Sequence, residues 1–295
     1  MDPYGHGKGA IPSGLLTGRG VKWKPPARFE WRDGIWVGRH EPVHFPEGGH
    51  DHLPTDPGSW WYRHRARVVL DAARRYAPSP PVLWDIGGGT GLMAKHFRAS
   101  GWRTVIVEPV LSAAVRARTA TDLTLCSSLA DLELPERSLP AIGLFDVIEH
   151  LDDPVAILLE CRRVLAPGGV ILITVPALPA LWSDTDRIAG HRRRYTPAQI
   201  RQEAEAAGLE CLSMDYFFGL LALGALPVRW FASHRSRRSS ASTAAILASE
   251  ERMLQPPRLV QHALVGVHSL EHAITQVVRL PAGLSLLAVL STPST

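Results

Sequence analysis

The segment Asp85-Ile86-Gly87-Gly88-Gly89-Thr90-Gly91 follows the apolar run VLW (82–84), and Glu108 closes the next apolar run, 17 residues beyond Gly91. Glycines at a strand end let the backbone turn tightly and come close to a ligand, while amides of the following helix point at it. An acid ending the next strand can accept hydrogen bonds from both hydroxyls of a ribose. The pair points to a nucleotide-like ligand. The dinucleotide fingerprint GxGxxG fits poorly, because Asp85 precedes the glycines and their offsets differ.

A second group of residues suits proton transfer. In LWSDTDRIAGHRRRYTPAQI (181–200), Asp186 stands five residues before His191, a base with its orienter, while Arg194 and Tyr195 can clamp an acidic or phenolic group. Asp186 paired with an arginine can equally close the loop. His150, in FDVIEHL (145–151), has the same two readings: proton transfer at a site mouth, or a brace with Glu149 for its helix. His40, His44, His50 and His52 lie among Pro and Gly, where a zinc site is conceivable, yet no cysteine or well-spaced second pair supports one. No metal is expected.

The elements that must position these residues are legible by period. WWYRHRARVVLDAARRYA (60–77) repeats its apolar residues at helical spacing and stops at Pro78–Pro81. VLWDI (82–86), WRTVIVEP (102–109), LTLCSSL (123–129) and VILITVP (170–176) read as strands, and LPAIGLFDVIEHL (139–151) runs from a strand into a helix start. They alternate with helices LMAKHFRAS (92–100), SAAVRARTA (112–120) and VAILLECRRVLA (155–166). That alternation predicts a doubly wound α/β fold, Rossmann-like, with a mostly parallel seven-stranded sheet flanked by helices. TPAQIRQEAEAAG (196–208) is a capped helix, and ECLSMDYFF (210–218) and LSLLAVLS (284–291) supply the last two strands. Four parts are expected: an irregular arm over 1–58 with an Asp33–Gly34 hairpin, the core over 59–218, a helical insertion or lid over 219–280, and the last strand and tail over 281–295.

Composition narrows the classes. At 295 residues, 45% hydrophobic and 20% charged, the chain is globular. It lacks the ~18-residue apolar run of a membrane span and has no apolar leader. Cys126, Cys161 and Cys211 are widely spaced, which suits a reducing compartment, and the cytoplasm is the expectation. A net charge of +4 is weak support for nucleic acid, although Arg192–Arg194 and Arg235, Arg237 and Arg238 are local basic clusters. YFFGLLALGALPVRWFA with SHRSRRSS after it (216–240) can be an interfacial helix touching lipid through 216–238, a lid on an apolar substrate, or a buried helix.

DIGGGTG (85–91), VIVEP (105–109) and FDVIEHLDDPVAILLECRRVLAPGGVILITVP (145–176) closely resemble the motifs of class I S-adenosylmethionine (SAM)-dependent methyltransferases, in the small-molecule and ubiquinone-type branch. The resemblance covers about 60–218 and returns at 284–291. It implies SAM as cofactor. Asp85 would fix the glycine loop, and Gly87, Gly88, Gly89 and Gly91 would run under the methionine part. Glu108 would hold the ribose, Ser128 and Leu129 would flank the adenine, and Phe145 and Asp146 would lie beside the amino acid moiety. SWWYRHR (59–65) resembles a helix that covers the SAM pocket in part of the family, with Trp61 lining it and Arg65 pairing with the SAM carboxylate; Trp60 and Trp61 can equally be core aromatics. The chain departs from the pattern at Leu139–Pro140 and at Ser127–Ser128, where the family often has Phe-Asp and an Asp. The implied activity is O- or N-methylation of a small molecule. Methylation of RNA or a peptide, and a non-catalytic SAM-binding subunit, are the alternatives.

Overall fold

The computed structural model describes residues 24–38, 58–79, 81–222 and 256–293. The four histidines between 40 and 52, the cluster at Arg235–Arg238, and most of the expected insertion and lipid-contact segment lie outside the described residues.

Nine strands form one sheet in the order β1-β2-β5-β4-β3-β6-β7-β9-β8. They are β1 (Phe29–Arg32), β2 (Ile35–Gly38), β3 (Val82–Ile86), β4 (Arg103–Val107), β5 (Leu123–Cys126), β6 (Leu139–Phe145), β7 (Leu165–Pro176), β8 (Glu210–Phe217) and β9 (Ser285–Ser291). The helices are α1 (Trp60–Tyr76), α2 (Leu92–Ala99), α3 (Leu111–Ala117), α4 (Pro154–Val164), α5 (Asp184–Ile188), α6 (Pro197–Ala206) and α7 (Arg258–Thr275). Strands β3 to β7 are parallel, and β9 runs antiparallel between β7 and β8.

The expected seven strands become nine because the arm joins the sheet. Asp33 and Gly34 both take positive φ, 54° and 80°, as a two-residue type I′ hairpin requires. The hairpin then lays β2 parallel on the open edge of β5, pairing Trp36 with Leu125 and Val37 with Cys126. Arg28, just before the hairpin, bonds Glu133 at 2.6 Å and the Asp131 carbonyl, so the arm holds the loop that follows β5.

β3 and the whole of β6 are buried along both faces, as central parallel strands must be. One apolar layer packs under α4 and α6, including Trp84, Leu144 and Ile173; the other packs under α1 and α2, including Leu83, Phe97 and Leu172. Local signals start two of the helices, the one at Thr196 as expected. Asp153 accepts the Val155 and Ala156 amides ahead of Pro154, and Thr196 and Gln199 form a capping box ahead of Pro197. β7 starts earlier than its apolar run, at Leu165, because Leu165 already pairs with Leu139 across an irregularity in the ladder.

Candidate functional site

A cavity of about 360 Å³ opens at the carboxyl ends of β3, β4, β5 and β6. Strand order reverses between β4-β3 and β6-β7, and it is at such a switch point that open α/β sheets leave a crevice.

The glycine loop forms its floor. Gly87 and Gly89 adopt φ of 71° and 54°, conformations that side-chain-bearing residues rarely take. Gly88 has ordinary φ but no room: a Cβ there would stand 2.9 Å from Asp85 Oδ2. The loop is held by Glu108, whose Oε2 accepts the Gly89 amide at 2.8 Å while Oε1 accepts the Val110 amide at 2.8 Å. Asp85 was expected to hold the loop. Instead it is buried with both carboxylate oxygens unpartnered among the described residues. Burial, and then the nearby Glu108 carboxylate, push its pKa up to about 7 against the pull of Arg65.

The wall at the end of β6 is strained. Asp146 has φ of 56°, a region that costs a non-glycine residue energy and recurs at functional sites. Its amide bonds the Thr174 carbonyl at 2.9 Å, and its carboxylate pairs with Arg65 of α1. Arg65 also donates to Thr174 Oγ1, while its Nε has no partner among the described residues. The guanidinium is therefore already committed to Asp146, with its Nε–H unmet among the described residues.

Gly87, Gly88, Gly89, Asp85, Glu108, Ser128, Leu129, Phe145, Asp146 and Arg65 all line the cavity. Two expected residues do not. Gly91, with φ of 82°, starts α2 and packs on α3, where a Cβ would meet that of Ala120 at 2.6 Å. Trp61 faces away and stacks on Phe218 with centroids 3.9 Å apart, so it belongs to the packing between α1 and the chain after β8. Tyr62 occupies the lining position instead, three residues before Arg65 on the same helix face. Its hydroxyl is pushed up to about 12 by burial, moderated by Arg65. That i, i+3 relation was a usable sequence signal.

On the adenine side expected for SAM, Ser127 lines the cavity with its hydroxyl unpartnered among the described residues, while Ser128 donates to Asp131. The acid missing directly after β5 is thus found one turn later, gripping the loop from behind.

At the mouth, His191 and His150 both line the cavity, with ring centroids 4.9 Å apart and nearly perpendicular. Asp186 Oδ1 stands 3.0 Å from His191 Nδ1 and accepts Arg194 Nε at 2.8 Å; Oδ2 accepts the Ser183 amide and hydroxyl at 2.8 and 3.0 Å. Burial pushes Asp186 up, yet the His191, Arg194 and Ser183 contacts outweigh it and hold the carboxyl at about 2. The carboxylate can only accept, so Nδ1 of His191 carries a proton, which in the neutral ring leaves the lone pair on Nε2. Asp186 therefore touches the partners of both readings, the His191 ring and the Arg194 guanidinium.

Tyr195 is not part of this mouth. It is fully buried, its hydroxyl directed at the Ile148 carbonyl at 3.4 Å, with its backbone bridging to β7. It braces the 148–150 turn, so its expected role as a substrate clamp is withdrawn. Arg194 is likewise used internally, on Asp186 and the Ala177 carbonyl. Glu149 was read only as a helix brace. It is fully buried with both oxygens unpartnered among the described residues, and burial followed by the Asp146 charge raises it well above its usual range. Glu149, His150 and His191 each present a ligand atom within 4.8 Å of the others, a donor set hidden in the sequence by the long stretch between His150 and His191.

Residues 61–214 match the family described as a methyltransferase domain. A probable S-adenosylmethionine-dependent methyltransferase of Mycolicibacterium smegmatis is 33% identical over 165 residues, 53% of this chain and 63% of that protein. A 23S rRNA (guanine(748)-N(1))-methyltransferase of Streptomyces fradiae is 29% identical over 158 residues, 49% of this chain and 53% of that one. The chain spans about half the length of the curated relatives it matches. Among solved structures, phosphoethanolamine N-methyltransferase 2 of Haemonchus contortus in complex with S-adenosyl-L-methionine gives a TM-score of 0.51 at 15% identity, over 86% of this chain and 61% of that chain, a likeness of fold.

Proposed function

The chain belongs to the methyltransferase-domain family, and from that premise we propose that it transfers a methyl group from SAM to a small-molecule acceptor seated between the glycine loop and His191. The observation that carries the acceptor side is the Asp186–His191 pair at the cavity mouth.

The cavity's residues fit SAM. The orphaned Asp85 carboxylate suits the ammonium, and the spare Nε of Arg65 suits the carboxylate. Glu108, which lines the cavity, would accept the ribose hydroxyls with the same carboxylate that holds the Gly89 and Val110 amides. Ser127, Ser128 and Leu129 would border the adenine. When bound, SAM supplies a methyl group on a sulfonium, already electrophilic without further activation.

The protein's own part is alignment and proton handling. Leu92, Met93, Phe145 and Leu151 give the cavity apolar walls that exclude water. With Asp186 fixing its tautomer, His191 Nε2 would take the proton of an acceptor hydroxyl as its oxygen receives the methyl group, the S–CH3 bond breaking to leave a neutral thioether, and would pass that proton to solvent. His150, braced through Nδ1 near the Gly190 carbonyl at 3.3 Å, borders the same space.

RNA is the second reading, favoured by the rRNA-modifying relative. Against it, the basic run that suggested nucleic acid is spent on the fold: Arg192 Nε donates to the His150 carbonyl, Arg193 to the Leu151 carbonyl and Arg194 to Asp186. The test is transfer from methyl-labelled SAM to a fractionated small-molecule extract and, in parallel, to 23S rRNA. Label in a small-molecule fraction supports the proposal, and label in rRNA alone overturns it.

A further inference from the structure

On the far side of α1 from the cavity, three side chains with metal-binding chemistry meet in the core. His64 belongs to α1; His268 and Glu271 share one face of α7 at a spacing of three, the arrangement by which helices pair a histidine and a carboxylate as ligands. All three are buried, at 4%, 2% and 1% exposure. One ligand atom from each lies within 4.8 Å of the others.

Among the described residues, their hydrogen bonding is incomplete. His64 Nε2 stands 3.2 Å from Glu271 Oε1, and Glu271 Oε2 accepts the Leu220 amide at 2.9 Å. His268 has no partner for either ring nitrogen among the described residues, and neither does His64 Nδ1. His268 stacks on Trp60 with centroids 5.2 Å apart, which fixes its plane but satisfies no polar atom. A buried imidazole with both nitrogens unmet is costly.

We propose that His64, His268 and Glu271 form a site for one divalent transition-metal ion of the zinc type, which ties α7 to α1. Two imidazoles and one carboxylate suit zinc better than magnesium or calcium, which favour all-oxygen sites. Ligands about 2.1 Å from a tetrahedral ion stand about 3.4 Å apart, close to the His64–Glu271 separation. A second cavity of about 230 Å³, lined by His64, Glu271 and His272, adjoins the site and offers an entry path and a water for the fourth position. His64 directly precedes Arg65, and Tyr62 lies two residues before it, so an ion here would stiffen the helix turn that lines the main cavity. The site does not depend on what the cavity binds.

The test uses the full chain, stripped by chelator and titrated with Zn²⁺ by calorimetry, with melting followed in parallel. One ion per chain at micromolar Kd or tighter, with a rise in Tm, is expected; Mg²⁺ should produce neither. His268→Ala and Glu271→Gln should each weaken binding at least 100-fold. The double variant Glu149→Gln/His191→Ala, which touches only the cluster at the cavity mouth, should keep full stoichiometry and affinity, and it remains informative if a core variant does not fold. Absence of Zn²⁺ binding by the wild type overturns the proposal. So does loss of binding in the double variant, which would assign the ion to the mouth, or unchanged binding in His268→Ala.

Discussion

Glu108 Oε2 accepts the amide of Gly89 at 2.8 Å, so the acid that ends β4 clamps the glycine loop that follows β3. Two strands of the parallel sheet are thereby tied at the point where the cavity opens. The carboxylate that would meet a ribose also shapes the loop beneath the rest of the ligand.

Glu108→Ala should therefore lower SAM affinity by more than the loss of two hydroxyl contacts alone, at least tenfold and up to about 100-fold. Calorimetric titration with SAM measures it. Affinity within threefold of wild type would remove Glu108 from the site.

Gly88→Ala tests the loop sterically. The new methyl would sit 2.9 Å from Asp85 Oδ2 and 3.1 Å from Ile106 Cγ2, and its φ is ordinary, so the clash alone is responsible. The Asp85 side chain must move, and SAM affinity should fall about tenfold while Tm drops by a few degrees. Gly101→Ala, at positive φ but with nothing within 4 Å of the new Cβ, separates backbone strain from crowding: it should lower Tm without changing SAM affinity.

Two aspartates give opposite pH dependences. Asp186 has a lowered pKa of about 2, so its stabilisation is complete above its unfolded value near 4 and is lost as pH falls toward 2. Asp85 has a raised pKa of about 7; the unliganded fold binds this proton more tightly than the unfolded chain, and stability declines as pH rises from about 4 to 7. The full amplitude is on the order of 4 kcal/mol. Asp85→Asn should flatten that decline in a series of denaturation curves. If the Asp85 carboxylate holds the SAM ammonium, wild-type affinity should also climb with pH up to about 7, and the Asn variant should lose this climb.

His191→Ala should reduce single-turnover methylation by roughly 100-fold with SAM affinity within a few-fold, the usual scale of general-base assistance. Asp186→Asn should lower the rate through the misoriented imidazole and also cost on the order of 2–4 kcal/mol of stability, because Arg194 loses its buried partner. His150→Ala is the comparison: if it is the crippling change and His191→Ala is mild, the base is His150.

What the sequence determined by itself is local. The turn at Asp33–Gly34, the helix caps at Asp153 and Thr196, the positive-φ glycines after β3 and the acid ending β4 follow from residue types a few positions apart, because backbone sterics and capping act over that range. Periodicity told which faces are buried, not what each face meets. The tertiary structure alone decided that Trp61 packs on Phe218 rather than lining the cavity, that Tyr195 is a brace, that Asp85 lacks a partner among the described residues and that the hairpin extends the sheet along β5. It also brought Glu149 to His191, and His64 across some 200 residues to His268 and Glu271. Side-chain hydrogen bonds and ion pairs operate within about 4 Å in space, and no spacing along the chain encodes which distant elements will close that distance.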